Sequence, residues 1–253
     1  NPSQATATIN KWVSDNTRNR IPKIFEKDVP SNTQILLASA LYFNGKWANS
    51  FPYYTTSPAT FHTPNGQINV ETMSNTDDLG YLSNDDLQYE VISIPFSLHE
   101  FSMEIFLPYS NNSLKSVVNA LTSEQHKQTI DSLRTTHVKY LIPRLKFRWS
   151  RQINEHLTKL GLKQIFQTAQ LDNMIDNIAA VSDVTHAAEI DVNEKGATAS
   201  VVTMIGAVGS SGPGPIRKKV IFHANRPFLF TISHKKTATI LFTGVVQNPA
   251  NIS

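Results

Sequence analysis

Apolar positions near the start of the chain predict a helix followed by a buried strand. Residues 5–25 carry apolar side chains at the i, i+3 and i+4 spacing of one helix face, namely Ile9, Trp12 and Val13. Pro22 is expected to end this helix. Residues 34–43 are apolar on both faces, which is typical of a central strand, and Asn44-Gly45 follows as a turn.

The middle of the chain predicts a hairpin and two short helices. Two segments between positions 89 and 107 alternate apolar with other residues, and residues 95–100 join them. This pattern is expected for two antiparallel strands. Ser113 and Thr122 each precede a segment with helical apolar spacing, so we expect both to be N-caps. Gln125 lies three residues after Thr122, which resembles a capping box.

The second half of the chain is predicted to be mostly strand. Residues 137–149 indicate one strand, after which Ser150 is expected to cap a helix that Gly161 closes in the left-handed conformation. Further strand-like segments follow at 187–192, 220–222, 227–233 and 237–246. Because strands outnumber helices and do not alternate with them, the pattern favours an α+β fold with antiparallel or mixed sheets. No repeat or low-complexity linker divides the chain, which favours one domain.

Composition excludes several classes of function. The chain has 253 residues, of which 40% are hydrophobic and 17% charged, and its net charge is only +3. This slight basic excess does not indicate a nucleic-acid binder, and no apolar run is long enough to cross a membrane. The absence of cysteine excludes a disulfide scaffold, a thiol nucleophile and a thiolate metal site.

No catalytic signature has the required spacing. His99-Glu100 is not followed by the second histidine of a zinc protease helix. Gly209-Ser210-Ser211-Gly212 does not place glycine on both sides of either serine at the spacing of a nucleophile elbow. We therefore expect neither an enzyme nor a metal site.

One uncharged segment stands apart from the rest of the chain. Residues 196–216 carry no charge, follow Glu194-Lys195 and precede Arg217-Lys218-Lys219. The first half has the small, β-branched composition of a strand, and the second half has the Gly, Ser and Pro composition of an exposed loop. If the segment is exposed, it is an aggregation-prone strand that can pair with a sheet edge, and if it is buried it requires a partner sheet. An ordinary long hairpin connection is the alternative.

Several motifs, in order along the chain, resemble those of the serpin family of protease inhibitors. The strongest is Phe222-His-Ala-Asn-Arg-Pro-Phe-Leu-Phe-Thr-Ile232, which is similar to the family's C-terminal signature. The others are Ala40-Leu-Tyr-Phe-Asn-Gly-Lys-Trp47, Leu141-Ile-Pro-Arg-Leu145, Ser182-Asp-Val-Thr-His186, Glu194-Lys-Gly-Ala-Thr-Ala-Ser200 and Phe242-Thr-Gly-Val-Val-Gln-Asn-Pro249.

The resemblance implies a serpin fold of three β-sheets with surrounding helices and an exposed reactive-centre loop at about residues 194–219. Residues 1–253 are then a single partial domain, the C-terminal two-thirds of the fold, and the N-terminal segment of the same fold is a required partner. We predict that residues 1–253 do not fold alone. The implied hinge of the loop comprises Glu194, Lys195, Gly196, Ala197, Thr198, Ala199 and Ser200. His186 matches the histidine of the family's shutter, Ser39 stands in the shutter where an asparagine partner is common, and Trp47 matches the tryptophan of the breach.

The resemblance also implies a mechanism of suicide-substrate inhibition. A serine protease cleaves the loop, is trapped as an acyl-enzyme, and is carried away as the loop enters the main sheet. The inward face of the inserted strand would be uncharged and mostly small: Ala197, Ala199, Val201, Thr203, Ile205 and Ala207. Some 13 inserted residues at about 3.3 Å each move the protease by roughly 40 Å.

Two counts locate the cleaved bond differently. Counting forward from Glu194 by the family's spacing places it between Ser210 and Ser211, whereas counting back from Pro227 places it near Arg217 and Lys218. We prefer the forward count, because the inserted length decides how tightly the acyl-enzyme is held. A serine at the bond suits a protease with a small primary pocket, as in elastase-like enzymes.

Further expectations concern partners and location. A protease of the chymotrypsin fold is the expected partner, in a covalent complex with a monomeric inhibitor, and no cofactor is required. A basic cluster is a candidate contact for a sulfated polysaccharide such as heparin: Arg217, Lys218, Lys219, Lys235 and Lys236. Extracellular location follows the family's habit and agrees with glycosylation sequons at Asn111 and Asn251.

Two alternatives stay open at this point. Val201 is stiffer than the alanine usual after the hinge and the loop is long, which keeps a non-inhibitory serpin in consideration, as a carrier, chaperone or storage protein. Inhibition of papain-like cysteine proteases would use the same loop and the same trap.

Overall fold

A computed structural model describes residues 1–110, 112–167, 180–197 and 219–250. Four helices lie in this part of the chain: α1 (Pro2–Asn16), α2 (Leu114–Ala120), α3 (Ser123–Ser132) and α4 (Asn154–Lys159). The strands are β1 (Ile35–Tyr42), β2 (Gly45–Lys46), β3 (Ser57–Thr63), β4 (Gly66–Asn84), β5 (Tyr89–Pro95), β6 (Phe101–Pro108), β7 (Arg134–Pro143), β8 (Leu145–Gln152), β9 (Val181–Asn193), β10 (Gly196–Ala197), β11 (Val220–His223), β12 (Phe228–His234) and β13 (Thr239–Val246). The α+β class predicted from the sequence is confirmed.

The chain divides into two compact units. Of the described residues, the first unit contains 1–43, 146–167 and 180–190, and the second contains 44–110, 112–145, 191–197 and 219–250. The assignment of the whole chain to a single partial domain stays a prediction. Among the described residues, no helix is both long and apolar enough to span a membrane.

In the first unit, a helix packs on one face of a strand pair. β1 runs parallel to β9, from Ile35 opposite Val181 to Tyr42 opposite Glu189, and β8 also pairs with β9. Val13 of α1 is fully buried in a cluster with Ile21, Ile24 and Ala187, against which Ala38 and Ala40 also pack. The opposite face of β1 is open, because Leu37 and Leu41 are 46% and 39% exposed. The prediction that β1 is covered on both faces is therefore not met by the described residues.

Helix α1 is shorter than the sequence pattern predicts. It ends at Asn16, six residues before Pro22, because Arg18 and Asn19 both adopt positive φ. Thr17 stabilises this end, since its hydroxyl donates to the carbonyl of Val13 and accepts from the backbone N–H of Ile21. Of the three residues on the predicted apolar face, Ile9 and Val13 pack in the buried cluster of the first unit, whereas Trp12 is half exposed.

In the second unit, the long strand β4 lies within an eight-stranded sheet. The strand order is β11-β7-β4-β5-β6-β12-β13, and β3 pairs with β4 beside this path. The 19-residue β4 pairs with β3 along its first part, with β7 from Thr72 to Tyr81, and with β5 at its end. The described strands therefore form two hydrogen-bonded sheets, one of five strands and one of eight.

Several local predictions are confirmed and two are corrected. β5 and β6 form the predicted hairpin, and Ser113 and Thr122 cap α2 and α3 by accepting backbone N–H groups. The predicted strand at 137–149 is two strands, β7 and β8, which are interrupted at Arg144. The assignment of Ser150 as an N-cap is wrong, because it lies within β8 and its hydroxyl donates to the carbonyl of Ile24. Gly161 does adopt positive φ, as predicted.

Candidate functional site

The predicted hinge begins as a tight turn between the end of β9 and β10, within the second unit. Strand β9 ends at Asn193, and β10 returns antiparallel to it, with Gly196 opposite Asn193. The other edge of β10 pairs with β2, where Gly196 lies opposite Lys46 and Ala197 opposite Gly45. We call residues 193–197 the hinge turn. Gly196 and Ala197, the last two residues of the hinge turn, are thus already paired on both sides.

Glycine is the one residue type that fits position 196 of the hinge turn. Its φ is +132°, which side chains other than hydrogen rarely allow. A Cβ atom built there would lie 2.1 Å from the carbonyl oxygen of Gly45 and 2.6 Å from Cα of Lys46. Because both obstacles are backbone atoms, no side-chain rotation relieves the overlap.

Glu194 anchors the hinge turn through a buried carboxylate. Its side chain is only 3% exposed, and Oε1 accepts hydrogen bonds from Thr56 Oγ1 at 2.7 Å and from Arg144 Nε at 2.8 Å. Arg144 Nη2 donates to the same oxygen. The Glu194 carbonyl accepts from the backbone N–H of Phe51 at 2.9 Å. The turn is therefore attached to residues that lie far from it in the sequence.

The ion pair keeps Glu194 charged in spite of its burial. Burial alone raises the pKa of a carboxyl group, but the hydrogen bonds from Arg144 and Thr56 oppose that effect and hold the pKa of Glu194 below its ordinary value. A carboxylate with a depressed pKa stabilises the fold above its unfolded-state pKa, and this stabilisation is lost as pH falls through the folded-state pKa.

Trp47 holds the hinge turn from the adjoining segment. It is 2% exposed, its backbone N–H donates to the carbonyl of Lys195 at 3.0 Å, and its indole Nε1 donates to the carbonyl of Asn193 at 2.9 Å. The indole stacks on Phe96 at 4.7 Å between ring centroids and meets Phe51 edge-on. Trp47, named from the sequence as the breach residue, therefore contacts the hinge turn directly.

Three contact residues are not predicted from the sequence as members of this site: Thr56, Tyr53, and Arg144, which lies in a recognised motif but has no assigned partner there. Arg144 and Thr56 bind Glu194, and the Lys195 ammonium lies 5.8 Å from the ring centroid of Tyr53. The sequence gives one indirect indication. If Glu194 is buried beside the hinge, its carboxylate requires a cation as a partner. The sequence does not indicate which of the 23 basic residues supplies that cation.

The two predicted shutter residues lie in the first unit on neighbouring strands. Ser39 of β1 is in register with His186 of β9, and the His186 ring packs against Trp149 with 5.7 Å between centroids. Within the described part of the chain, no hydrogen bond joins the Ser39 and His186 side chains. Their role in opening the sheet stays a prediction.

The predicted basic cluster is only partly described. Lys219 is exposed just before β11, and Lys235 and Lys236 are exposed in the turn between β12 and β13. Four strands stand between β11 and β12 in the sheet order, so these lysines are not on neighbouring strands.

Other predicted positions lie outside the described residues. They are Asn111, Thr198, Ala199, Ser200, Val201, Thr203, Ile205, Ala207, Ser210, Ser211, Arg217, Lys218 and Asn251. The described residues contain no group of three or more potential metal ligands.

Comparison with known proteins gives a consistent result. The family model described as Serpin (serine protease inhibitor) matches residues 1–249. Serine protease inhibitor 2 of Anopheles gambiae is 31% identical over 98% of this chain and 62% of its own length. Intracellular coagulation inhibitor 2 of Tachypleus tridentatus is 34% identical over 94% of this chain and 59% of its own length. The crystal structure of Manduca sexta serpin-12 matches with a TM-score of 0.86 at 23% identity, over 99% of this chain and 67% of that one. The chain therefore spans about three-fifths of the length of these two curated relatives.

Proposed function

Because the chain belongs to the serpin family of serine protease inhibitors, we propose that the whole protein is a suicide-substrate inhibitor that offers residues 194–219 to a protease. Its relatives are named as inhibitors, not as enzymes. The observation that carries the proposal is the hinge turn, in which Gly196 and Ala197 are already paired with β9 and β2.

The proposed reaction begins as ordinary proteolysis. The protease serine attacks the carbonyl carbon of Ser210, the bond to the Ser211 nitrogen breaks, and the protease is left as an ester on Ser210. The freed segment then adds residues to the short strand that Gly196 and Ala197 begin. Each added backbone hydrogen bond contributes about 0.5–1.5 kcal/mol net, so insertion of some 13 residues is strongly favourable. Hydrolysis of the ester is prevented because the protease is displaced and distorted.

Two features of the hinge turn support this use. β10 lies between β9 and β2, so extension of β10 continues in the same direction without a new turn. The anchor formed by Glu194, Arg144 and Trp47 holds the root of the loop while the rest moves. A fixed root converts insertion into displacement of the attached protease.

The proposed bond between Ser210 and Ser211 directs the inhibitor toward elastase-like serine proteases of the chymotrypsin fold. Arg217 followed by Lys218 is the alternative bond, which would suit a trypsin-like enzyme. No cofactor is required by this scheme, and a sulfated polysaccharide bound by the lysine-rich segments would act only as an accelerator.

We further propose that an N-terminal segment of the same fold covers the open face of the first unit. Leu37 and Leu41 of β1 and Trp149 of β8 are each about 40% exposed or more. Large apolar side chains on a sheet face are expected to be covered in the complete protein. Residues 1–253 alone should therefore show no cooperative unfolding transition, whereas the full-length protein should. A cooperative transition of residues 1–253 in a denaturant titration would contradict this proposal.

An extracellular monomer is the proposed state of the complete protein. Sequons at Asn111 and Asn251 support the location. One relative, by contrast, carries the word intracellular in its name.

Incubation with a panel of proteases tests the proposed function. The full-length protein should form an adduct with an elastase-like protease that survives boiling in detergent, because the ester is covalent. Cleavage of the loop by every protease without an adduct would contradict the proposal and favour a non-inhibitory role. An adduct with papain-like enzymes alone would transfer the same mechanism to cysteine proteases.

A further inference from the structure

A buried carboxylate cross-links three strands of the second unit. Glu104 of β6 is fully buried and lies in register with Ser93 of β5 and with Thr231 of β12. Its Oε1 accepts from the hydroxyls of Ser93 and Ser102, and its Oε2 accepts from Thr231 at 2.8 Å and from Ser233 at 2.9 Å. Four hydroxyl donors fill the acceptor sites of one carboxylate.

The single proton of the Thr231 hydroxyl determines which ring nitrogen of the buried His126 is protonated. A hydroxyl group carries one proton, and the proton of Thr231 is directed at Glu104. His126 Nε2 of α3 lies 3.3 Å from the same Thr231 oxygen, which can then only accept from it. While Glu104 is ionised, His126 must therefore carry its proton on Nε2.

Few other titratable groups lie on the elements packed around Glu104. β5 carries Tyr89 and Glu90, β12 ends at His234, and Lys235 follows it in an exposed turn. The other charged residues of α3 and α2 are exposed on the helix surface: Lys115, Glu124, Lys127 and Asp131. Among the described residues, no ion pair joins a cation to the Glu104 carboxylate. Four hydroxyl groups bind it directly, and the Lys235 ammonium acts on it only through a longer-range electrostatic interaction.

We propose that Glu104, Thr231 and His126 form a buried proton relay that makes the packing of α3 on β12 respond to pH. A proton from solvent binds His126 Nδ1 while the Nε2 proton passes to Thr231 and the Thr231 proton passes to Glu104 Oε2. One proton enters, the Nδ1–H and Glu104 O–H bonds form, and the Nε2–H bond breaks. His126 stays neutral and changes tautomer, and the direction of both hydrogen bonds in the relay is reversed.

The electrostatics of the cluster agree with this direction of transfer. Burial raises the pKa of Glu104, although its four hydroxyl partners oppose the change, and burial lowers the pKa of His126. Both shifts favour a neutral carboxyl group beside a neutral imidazole over a buried imidazolium. A raised carboxyl pKa also means that stability falls as pH rises from the unfolded-state to the folded-state pKa of Glu104.

Histidine tautomers measured by NMR on the full-length protein with ¹⁵N-labelled histidine test the relay. Long-range proton–nitrogen correlations distinguish Nε2–H, Nδ1–H and imidazolium forms. On acidification from pH 9 to pH 5, His126 should change from the Nε2–H to the Nδ1–H form without passing through imidazolium. His137, whose ring is more than one-third exposed beside Asp78, provides the comparison in the same spectra. A single His126 tautomer throughout, or direct conversion to imidazolium, would overturn the proposal.

Matched variants separate the relay from general packing. Thr231→Val removes the relay hydroxyl and should abolish the tautomer change, whereas Thr231→Ser keeps the hydroxyl and should preserve it. Thr129→Val alters a buried threonine of the same helix that bonds to Tyr89, and it should leave the change intact. If Thr231→Val fails to fold, Ser233→Ala decides, because it removes a donor from Glu104 but spares the relay. Loss of the tautomer change in Thr231→Ser, or in Ser233→Ala, would contradict the assignment.

Discussion

Replacing Gly196 with alanine should convert the protein from an inhibitor into a substrate. The added Cβ would overlap the backbone of Gly45 and Lys46, and the positive φ disfavours any side chain. Strain of this kind costs about 1–3 kcal/mol. Because about 1.4 kcal/mol corresponds to a factor of ten, the ratio of trapping to cleavage should fall roughly tenfold or more. The measurement is the number of inhibitor molecules consumed per protease molecule trapped.

Gly66→Ala is the matched control for this prediction. Gly66 has nearly the same φ, +127°, but no atom lies within 4 Å of a Cβ built there. This variant carries the backbone strain without the overlap, at a hairpin remote in sequence from the hinge. It should lose some stability and retain its inhibitory stoichiometry. Equal stoichiometries for Gly66→Ala and Gly196→Ala would show that the fit of Gly196 between β9 and β2 has no part in trapping.

Replacing Arg144 with alanine should release the root of the loop. Glu194 would then keep a buried charge with only Thr56 as its side-chain partner. Removing one member of a buried ion pair costs about 3–5 kcal/mol, and we expect about 2–3 kcal/mol because the Arg144 side chain is 44% exposed. Denaturant unfolding at neutral pH measures the loss. Since Glu194 is protonated at low pH, the difference from the unsubstituted protein should shrink as pH falls through the depressed folded-state pKa of Glu194.

A second ion pair provides the control for Arg144. Arg148 is 48% exposed and bonds to Glu189, whose side chain is 5% exposed, in the first unit. Arg148→Ala should therefore cause a comparable loss of stability. Only Arg144→Ala should also lower the yield of trapped protease, because only that pair anchors the hinge turn. Equal yields for the two variants would separate the ion pair at Glu194 from the inhibitory mechanism.

Local chemistry made much of the fold predictable. The caps at Ser113 and Thr122, the hairpin of β5 and β6, and the left-handed Gly161 each depend on a few adjacent residues. The exposed side of β1 could not be predicted, because apolar residues on both faces of a strand look the same whether or not both faces are covered. Ser150 was misassigned because its hydroxyl bonds to Ile24, a partner more than a hundred residues away.

In the candidate site, too, residues within contiguous motifs were predictable, whereas pairs of residues far apart in the sequence were not. Gly196 and Trp47 were named from motifs that are contiguous in the sequence. Arg144 belongs to a motif that was also recognised, but its partner Glu194 lies 50 residues later. No local pattern encodes a pairing between residues this far apart in the sequence. Glu104 was missed for a similar reason, because its four hydroxyl partners come from three strands.

The most direct test of protease trapping is to identify the peptide bond broken in the adduct. The full-length protein is mixed with an elastase-like protease, the detergent-resistant adduct is isolated, and the C-terminal fragment released by denaturation is sequenced by mass spectrometry. The account predicts an adduct whose released fragment begins at Ser211. A stable adduct whose fragment begins at Lys218 would contradict the forward count from Glu194. Cleavage at Ser210 with no adduct would contradict trapping itself.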